Sequence, residues 1–141
     1  MDTQIKDKDY QKGEINQLHN ATMEFNRNSL ELKKIYISLY PAVVTLSYVF
    51  MTIKDNTGWR LSLFAFTIIL TIGVWFLDSY YYYYQRKLRF MMDIIKNELY
   101  NIHKSPTKYS VKGSLFNPSQ LIYVYFIIIS FASFMLSIVL S

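Results

Sequence analysis

The strongest constraint on this chain is an uncharged run of seventeen residues, Leu61–Leu77 (LSLFAFTIILTIGVWFL). As a helix, a run of this length and composition crosses most of a hydrocarbon core about 30 Å thick. One acid follows, Asp78, then five consecutive tyrosines, Tyr80 to Tyr84, then the basic amphipathic segment Gln85–Lys96. Apolar span, aromatic interface and positive flank succeed one another as in a helix that leaves the bilayer on its cytoplasmic side. The whole stretch reads as one long helix, with the other elements packed against it or extending its cytoplasmic part.

Two further apolar blocks, 35–53 and 121–140, bring the expected spans to three. Only 18% of the residues are charged, against about 25% in soluble globular domains, and the apolar residues come in these blocks. The fold expected is an all-α integral membrane protein with three transmembrane helices and cytoplasmic helical extensions, assembled as an oligomeric bundle. It divides into an N-terminal helix (1–34), a transmembrane hairpin (35–84), a basic cytoplasmic helix and loop (85–117) and a third span (118–141). The polar first 28 residues contain no apolar core of a cleavable signal.

Charge sets the expected orientation. Residues 1–34 carry six Lys/Arg and six acids, whereas 85–117 carry seven Lys/Arg against two acids, leaving +5. The connection between the first two spans has only Lys54 and Arg60 as cations. The positive-inside rule places the N-terminus and 85–117 in the cytoplasm and the C-terminus on the far side.

Along the chain, residues 1–14 look disordered or frayed. A heptad seam then starts, Ile15, Leu18, Thr22, Phe25, Ser29, Leu32, Tyr36 and Leu39. This spacing serves self-association and packing within the chain equally, and it makes Ile15, Leu18, Phe25, Leu32, Tyr36 and Leu39 the oligomer-seam candidates. Pro41 lies near the inner end of the first span, where Ser38, Ala42 and Thr45 share a face suited to close helix approach. Residues 54–59 read as a turn, with Trp59 at the outer interface. In the second span Thr67, Thr71 and Asp78 share a face. An acid at that depth either faces a pore, a gate or a basic partner, or sits hydrated among headgroups. The five tyrosines surround their helix, so some must face protein neighbours.

After the tyrosines, Leu88, Met91, Met92, Ile95, Leu99 and Ile102 form an apolar stripe. Around it and in the following loop lie Arg86, Lys87, Arg89, Lys96, Lys104, Lys108 and Lys112. Three roles fit this basic set: contact with anionic lipid, binding of an anionic nucleotide or oligonucleotide, or plain solvation on a helix packed against the N-terminal one. Residues 105–118 read as a loop ending in Asn117 as N-cap, Pro118 as first helical residue and Gln120 as capping-box partner. The third span carries Ser130, Ser133 and Ser137 on one face, which suits close packing with interhelical hydrogen bonds or a pore wall.

Several chemistries are absent. There are no cysteines, His19 and His103 are isolated, and the four glycines form no phosphate-binding loop. A single acid cannot supply the several polar groups at one depth that an intramembrane enzyme needs. The expectation is a non-enzyme without cofactor or metal, acting physically on or within a membrane.

The segment Trp75-Phe-Leu-Asp78-Ser-Tyr-Tyr-Tyr-Tyr-Tyr-Gln85-Arg86-Lys-Leu88-Arg89 resembles the SLATT superfamily of small bacterial membrane proteins. Their pattern has an acid at the inner end of the second span, aromatics, then Glu-Arg-x-Phe-Arg. Asp78, Arg86 and Arg89 match, whereas Gln85 and Leu88 stand where Glu and Phe are expected, and the third span departs from the simplest two-span layout. The resemblance covers roughly residues 30–103. It implies a homo-oligomeric, pore-forming effector of anti-phage defence in the bacterial inner membrane. Many such effectors work beside a nucleotidyltransferase-like partner, whose product would here act on the basic segment 85–112. Pore or gate candidates are then Thr67, Thr71, Asp78, Ser130, Ser133 and Ser137. The alternative is a non-conducting membrane scaffold that recruits a cytoplasmic partner through 85–117.

Overall fold

The computed structural model describes the backbone of residues 2–53 and 57–139, with side chains for 8–46, 49, 58, 59, 61–136, 138 and 139. The described residues are all-α: α1 (Asp2–Ile53), α2 (Thr57–Tyr100), a one-turn α3 (Val111–Leu115), a 3₁₀ turn (Pro118–Gln120) and α4 (Leu121–Val139). They form two compact units, Met1–Leu30 with Ser79–Ser114, and Glu31–Asp78 with Leu115–Ser141. Helices α1 and α2 contribute to both.

In the first unit, residues expected to be frayed are helical from Asp2, where an Asp9–Lys12 pair at 3.6 Å supports the turn. The seam positions Ile15, Thr22 and Ser29 are buried within the chain. Phe25 stacks on Tyr84 at 5.7 Å and meets Tyr81 at 6.1 Å. At Phe25, therefore, the seam packs on the chain's own α2.

Helix α2 stops because Asn101 turns left-handed (φ 51°) and the Ile102 N–H reaches back to the Asn97 carbonyl at 3.0 Å, which satisfies the last turn. Asn101→Val should cost about 1–2 kcal/mol by placing a β-branched residue in the left-handed region, whereas Asn101→Gly should not. Amide exchange at 97–100 checks this: faster in the valine variant, unchanged in the glycine one. The returning strand of chain is tied to α2. Asp93 accepts from the Thr107 amide at 2.8 Å and from the Thr107 hydroxyl, and Asn97 donates to the Lys104 carbonyl at 2.6 Å. Tyr109 lies on Tyr83 and Phe90. Where a loop was expected, Ser110 caps α3, accepting from the Gly113 amide at 3.0 Å.

In the second unit the pairings between α1 and α2 run in opposite directions along the two helices, 33 with 78 and 36 with 71. Those between α2 and the chain leading into and along α4 also oppose, Trp75 with Phe116 just before the 3₁₀ turn and Phe64 with Phe134 in α4. The Trp75 indole donates to the Leu115 carbonyl at 3.1 Å and so fixes the approach to α4. Asn117 caps the 3₁₀ turn, as its side chain accepts from the Ser119 amide. Gln120 does not complete a capping box. It is buried, with neither side-chain atom hydrogen-bonded among the described residues.

Two other expectations change. Helix α2 already begins at Thr57, so only 54–56 of the expected turn fall outside the described residues. The Ser38, Ala42, Thr45 face points outward, because Tyr36 and Tyr40 supply the helix contacts.

The burial pattern is inverted relative to a water-soluble protein. Among described residues, only Ile15, Tyr36, Tyr40 and Tyr123 are buried hydrophobics, while ten polar or charged residues are buried. Leu61, Phe66, Ile69, Phe76, Leu77, Leu121, Ile128 and Met135 are exposed. Two helical stretches, Leu61–Tyr100 and Pro118–Leu136, are long and apolar enough to cross a membrane, and only 17% of the most apolar part of each is buried. A core helix of a soluble protein would be mostly buried, so these outward apolar faces fit a membrane-associated helical protein. The first expected span, 35–53, lies within α1, but most of its side chains beyond Leu46 fall outside the described residues.

Candidate functional site: a polar seam inside an apolar unit

The residues with chemistry to offer converge in the second unit. Lys33, Tyr36 and Tyr40 follow at intervals of three and four on α1. Such spacing places them on one face. Thr67, Thr71 and Asp78, at intervals of four and seven, share a face of α2, and Tyr123 and Ser130, seven apart, share one of α4. Apart from Lys33, all are buried.

Three cross-links result. The Lys33 ammonium lies 3.1 Å from Asp78 Oδ2, and Asp78 is fully buried while the lysine side chain keeps 18% exposure. The Tyr123 hydroxyl, also fully buried, lies beside this carboxylate. Farther along, the Tyr36 and Thr71 hydroxyls are 2.6 Å apart. Thr71 donates to the Thr67 carbonyl at 2.7 Å, so Tyr36 is the donor of their shared bond. Next, the Tyr40 and Ser130 hydroxyls are 2.7 Å apart and both reach the Phe126 carbonyl at 2.9 Å. The rings of Tyr36, Tyr40, Tyr123 and Phe126 pack together, with centroids 4.3–5.8 Å apart. Beyond them Phe64 meets Phe131 and Phe134.

In apolar surroundings each hydroxyl must find a partner locally, and interhelical bonds of this kind contribute about 0.6 kcal/mol on average. The ion pair differs in scale. Removing a carboxylate and an ammonium from water costs several kcal/mol per ion, and their mutual attraction offsets that only in good geometry. Such a pair is weak evidence for stability and a marker of function inside a membrane span.

Of the expected pore or gate residues, Thr67, Thr71, Asp78 and Ser130 come together in this seam, within a single chain. Ser133 is exposed, and the Ser137 side chain lies outside the described residues. Asp78 pairs with a lysine of its own chain on α1, where an arginine of another helix or subunit was one expectation. Of the oligomer-seam residues, Tyr36 belongs here, Ile15 is buried, Leu18, Phe25 and Leu32 are half-buried, and Leu39 is exposed because Tyr40 takes the inward position. The basic residues of 85–112 belong to the first unit. Arg86 lies over the Tyr82 ring and Lys87 over the Tyr84 ring, at 5.7 and 5.8 Å, Lys96 is half-buried, and Arg89, Lys104, Lys108 and Lys112 are exposed.

Sequence reasoning missed Lys33, Tyr40, Tyr123 and Gln120. The signal was the Lys33-x-x-Tyr36-x-x-x-Tyr40 spacing, which sets a cation and two phenols on the face opposite Asp78 and Thr71. No protein-family model matches this chain, and neither does any curated protein or solved structure, so the assignment of this seam rests on its own geometry.

Proposed function

We propose that this protein is a homo-oligomeric membrane-permeabilising effector of the SLATT kind, with its polar seam closed inside each subunit. The observation that carries the proposal is the wholly buried Asp78 paired with Lys33 in a unit whose outer faces are apolar. Polar groups enclosed by lipid-facing helices become a conducting surface when subunits rearrange to bring the seams together. The chain crosses the bacterial inner membrane three times, with the N-terminus cytoplasmic and the C-terminus periplasmic. The exposed Arg89, Lys104, Lys108 and Lys112 receive the control signal, an anionic nucleotide or oligonucleotide made by a nucleotidyltransferase partner in an anti-phage system.

Membrane potential on induced expression tests this. Wild type should depolarise cells within minutes, alone or with its neighbouring genes and phage present, and Asp78→Asn should do so several-fold less. Cells that keep their potential under every one of these conditions would sink the proposal. A second reading, a non-conducting scaffold, is favoured by the exposed Met91, Ile94, Tyr100 and Ile102 in the first unit, which offer an apolar surface to a soluble partner. A leakage-silent protein that co-purifies with a stoichiometric partner lost on Met91→Glu/Ile94→Glu would support it.

A further inference from the structure

We infer that the turn and short helix at 108–112 form a docking surface for anionic phospholipid headgroups, with Lys108 and Lys112 on the headgroup charges and Val111 at the acyl boundary. The inference rests on the second unit spanning a membrane and does not require that the protein conduct. It involves two of the four cations that the control signal would use. An anionic signal then meets Arg89 and Lys104 directly but must displace headgroups from Lys108 and Lys112.

The chain itself sets the depth of this surface. Helix α3 ends at Leu115, whose carbonyl accepts from the Trp75 indole at 3.1 Å. Trp75 lies in the uncharged run that precedes Asp78, and the next stretch apolar enough to span begins at Pro118. Leu115 is therefore at the inner end of the second span. Val111 and Lys112 stand about one turn of helix before it, within roughly 6 Å along the axis. That is the depth of a headgroup layer, about 5–8 Å on each side of the hydrocarbon core.

Charge and shape suit such a layer. No acid follows Glu98 in the chain, while Lys104, Lys108 and Lys112 are all exposed. Val111, between the last two lysines, is 63% exposed. Lysines beside an exposed apolar residue fit a boundary at which the stem lies in the apolar layer and the ammonium meets phosphate. The turn is also held in advance. Asp93 accepts from the Thr107 amide and hydroxyl, and the Tyr109 ring lies on those of Tyr83 and Phe90. Ser110 accepts from the Gly113 amide at 3.0 Å, and its carbonyl accepts from the Ser114 hydroxyl at 2.9 Å, which buries Ser114 and leaves Val111 and Lys112 outward. A Cβ on Gly113 would come within 2.9 Å of the Ser110 Oγ, so glycine lets this cap close. A surface ordered beforehand loses little entropy on binding. A protein partner fits less well, because three side chains fall far short of the roughly 20–30 residues that such an interface covers.

The chain has no cysteine, so Val111→Cys and, as a control, Tyr10→Cys can each carry one NBD fluorophore on the full-length protein in nanodiscs. Acrylamide, which is uncharged, should quench the label at 111 several-fold less in phosphatidylglycerol discs than in phosphatidylcholine discs. The difference should vanish in about 1 M KCl, where the screening length is about 3 Å, a test that alters neither lysine. Lys108→Gln/Lys112→Gln in the labelled protein should abolish it too, each lysine accounting for roughly a five-fold lipid preference. The label at 10 should not distinguish the lipids. Equal quenching in both lipids, a difference that survives both the salt and the two glutamines, or the same difference at position 10 would overturn the inference. So would protection that appears only when ATP is added, in either lipid, since the lysines would then hold a free phosphate. Loss of the lipid response in a protein that still depolarises cells removes the docking surface and leaves the effector proposal standing. A salt-sensitive lipid response in a leak-silent protein does the reverse.

Discussion

Replacing Lys33 with methionine and Asp78 with leucine together should give a more stable protein than either change alone. Each single change takes the 3.1 Å contact away from the charge that remains in the second unit, and the two are not equivalent. Lys33→Met takes the ammonium from a carboxylate that is fully buried, so its cost should approach the roughly 3–5 kcal/mol typical of breaking a buried pair. Asp78→Leu strands a lysine whose side chain is already 18% exposed. That lysine can turn its ammonium to water while its stem stays packed, which places this variant at or below the lower end of the same range. The double variant removes both desolvation costs and keeps the apolar volume, so it should lie within about 1 kcal/mol of wild type, or above it. Unfolding of the four proteins in choline chloride closes a double-mutant cycle. Additive losses would show that the 3.1 Å contact couples nothing. The prediction also separates stability from activity: if the pair serves function, the stable double variant should fail to depolarise cells.

Much of this was legible in the sequence, and the part that was not has a definite cause. Period and composition give an all-α chain, the long α2 carrying the tyrosine run, and the shared face of Thr67, Thr71 and Asp78. The return at Asn101 and the tie between Asp93 and Thr107 are invisible, because a left-handed cap and a carboxylate reaching fourteen residues ahead leave no periodic trace. Lys33 is the instructive omission. Counted as one cation among several flanking a span, it indicates orientation. Set three and seven residues before two inward tyrosines, it belongs to their face. The serine pattern misleads in the opposite sense, since Ser130 and Ser133 share a general direction but only Ser130 meets Tyr40. A stripe read from spacing has width, and partners decide which of its edges is buried. The proposed pore formation and nucleotide control would depend on other molecules and so leave no mark on the contacts within one chain.

Tyr36→Ala should be among the most destabilising substitutions in the second unit, and Tyr36→Phe among the mildest at a buried position. Tyr36 is 3% exposed, and its ring meets those of Tyr40, Tyr123 and Phe126 at centroid distances of 5.8, 5.7 and 5.2 Å. Truncation to alanine opens a cavity among three aromatic rings, for which losses of about 3–5 kcal/mol are typical. A membrane setting weakens the transfer part of that cost, because lipid solvates an aromatic ring far better than water does, but the lost dispersion contacts remain. The phenylalanine variant keeps the ring and gives up one donor to Thr71. Thr71 still donates to the Thr67 carbonyl, so no donor is stranded, and the loss should be about 0.6 and at most about 1.7 kcal/mol. Steric trapping or thermal unfolding in nanodiscs ranks the two. Comparable losses would mean that the hydroxyl pair holds α1 to α2. The expected several-fold excess for alanine would instead make ring packing the adhesive. The hydroxyls would then be groups whose bonds can break and re-form at little cost, as the proposed gate between closed and conducting forms requires.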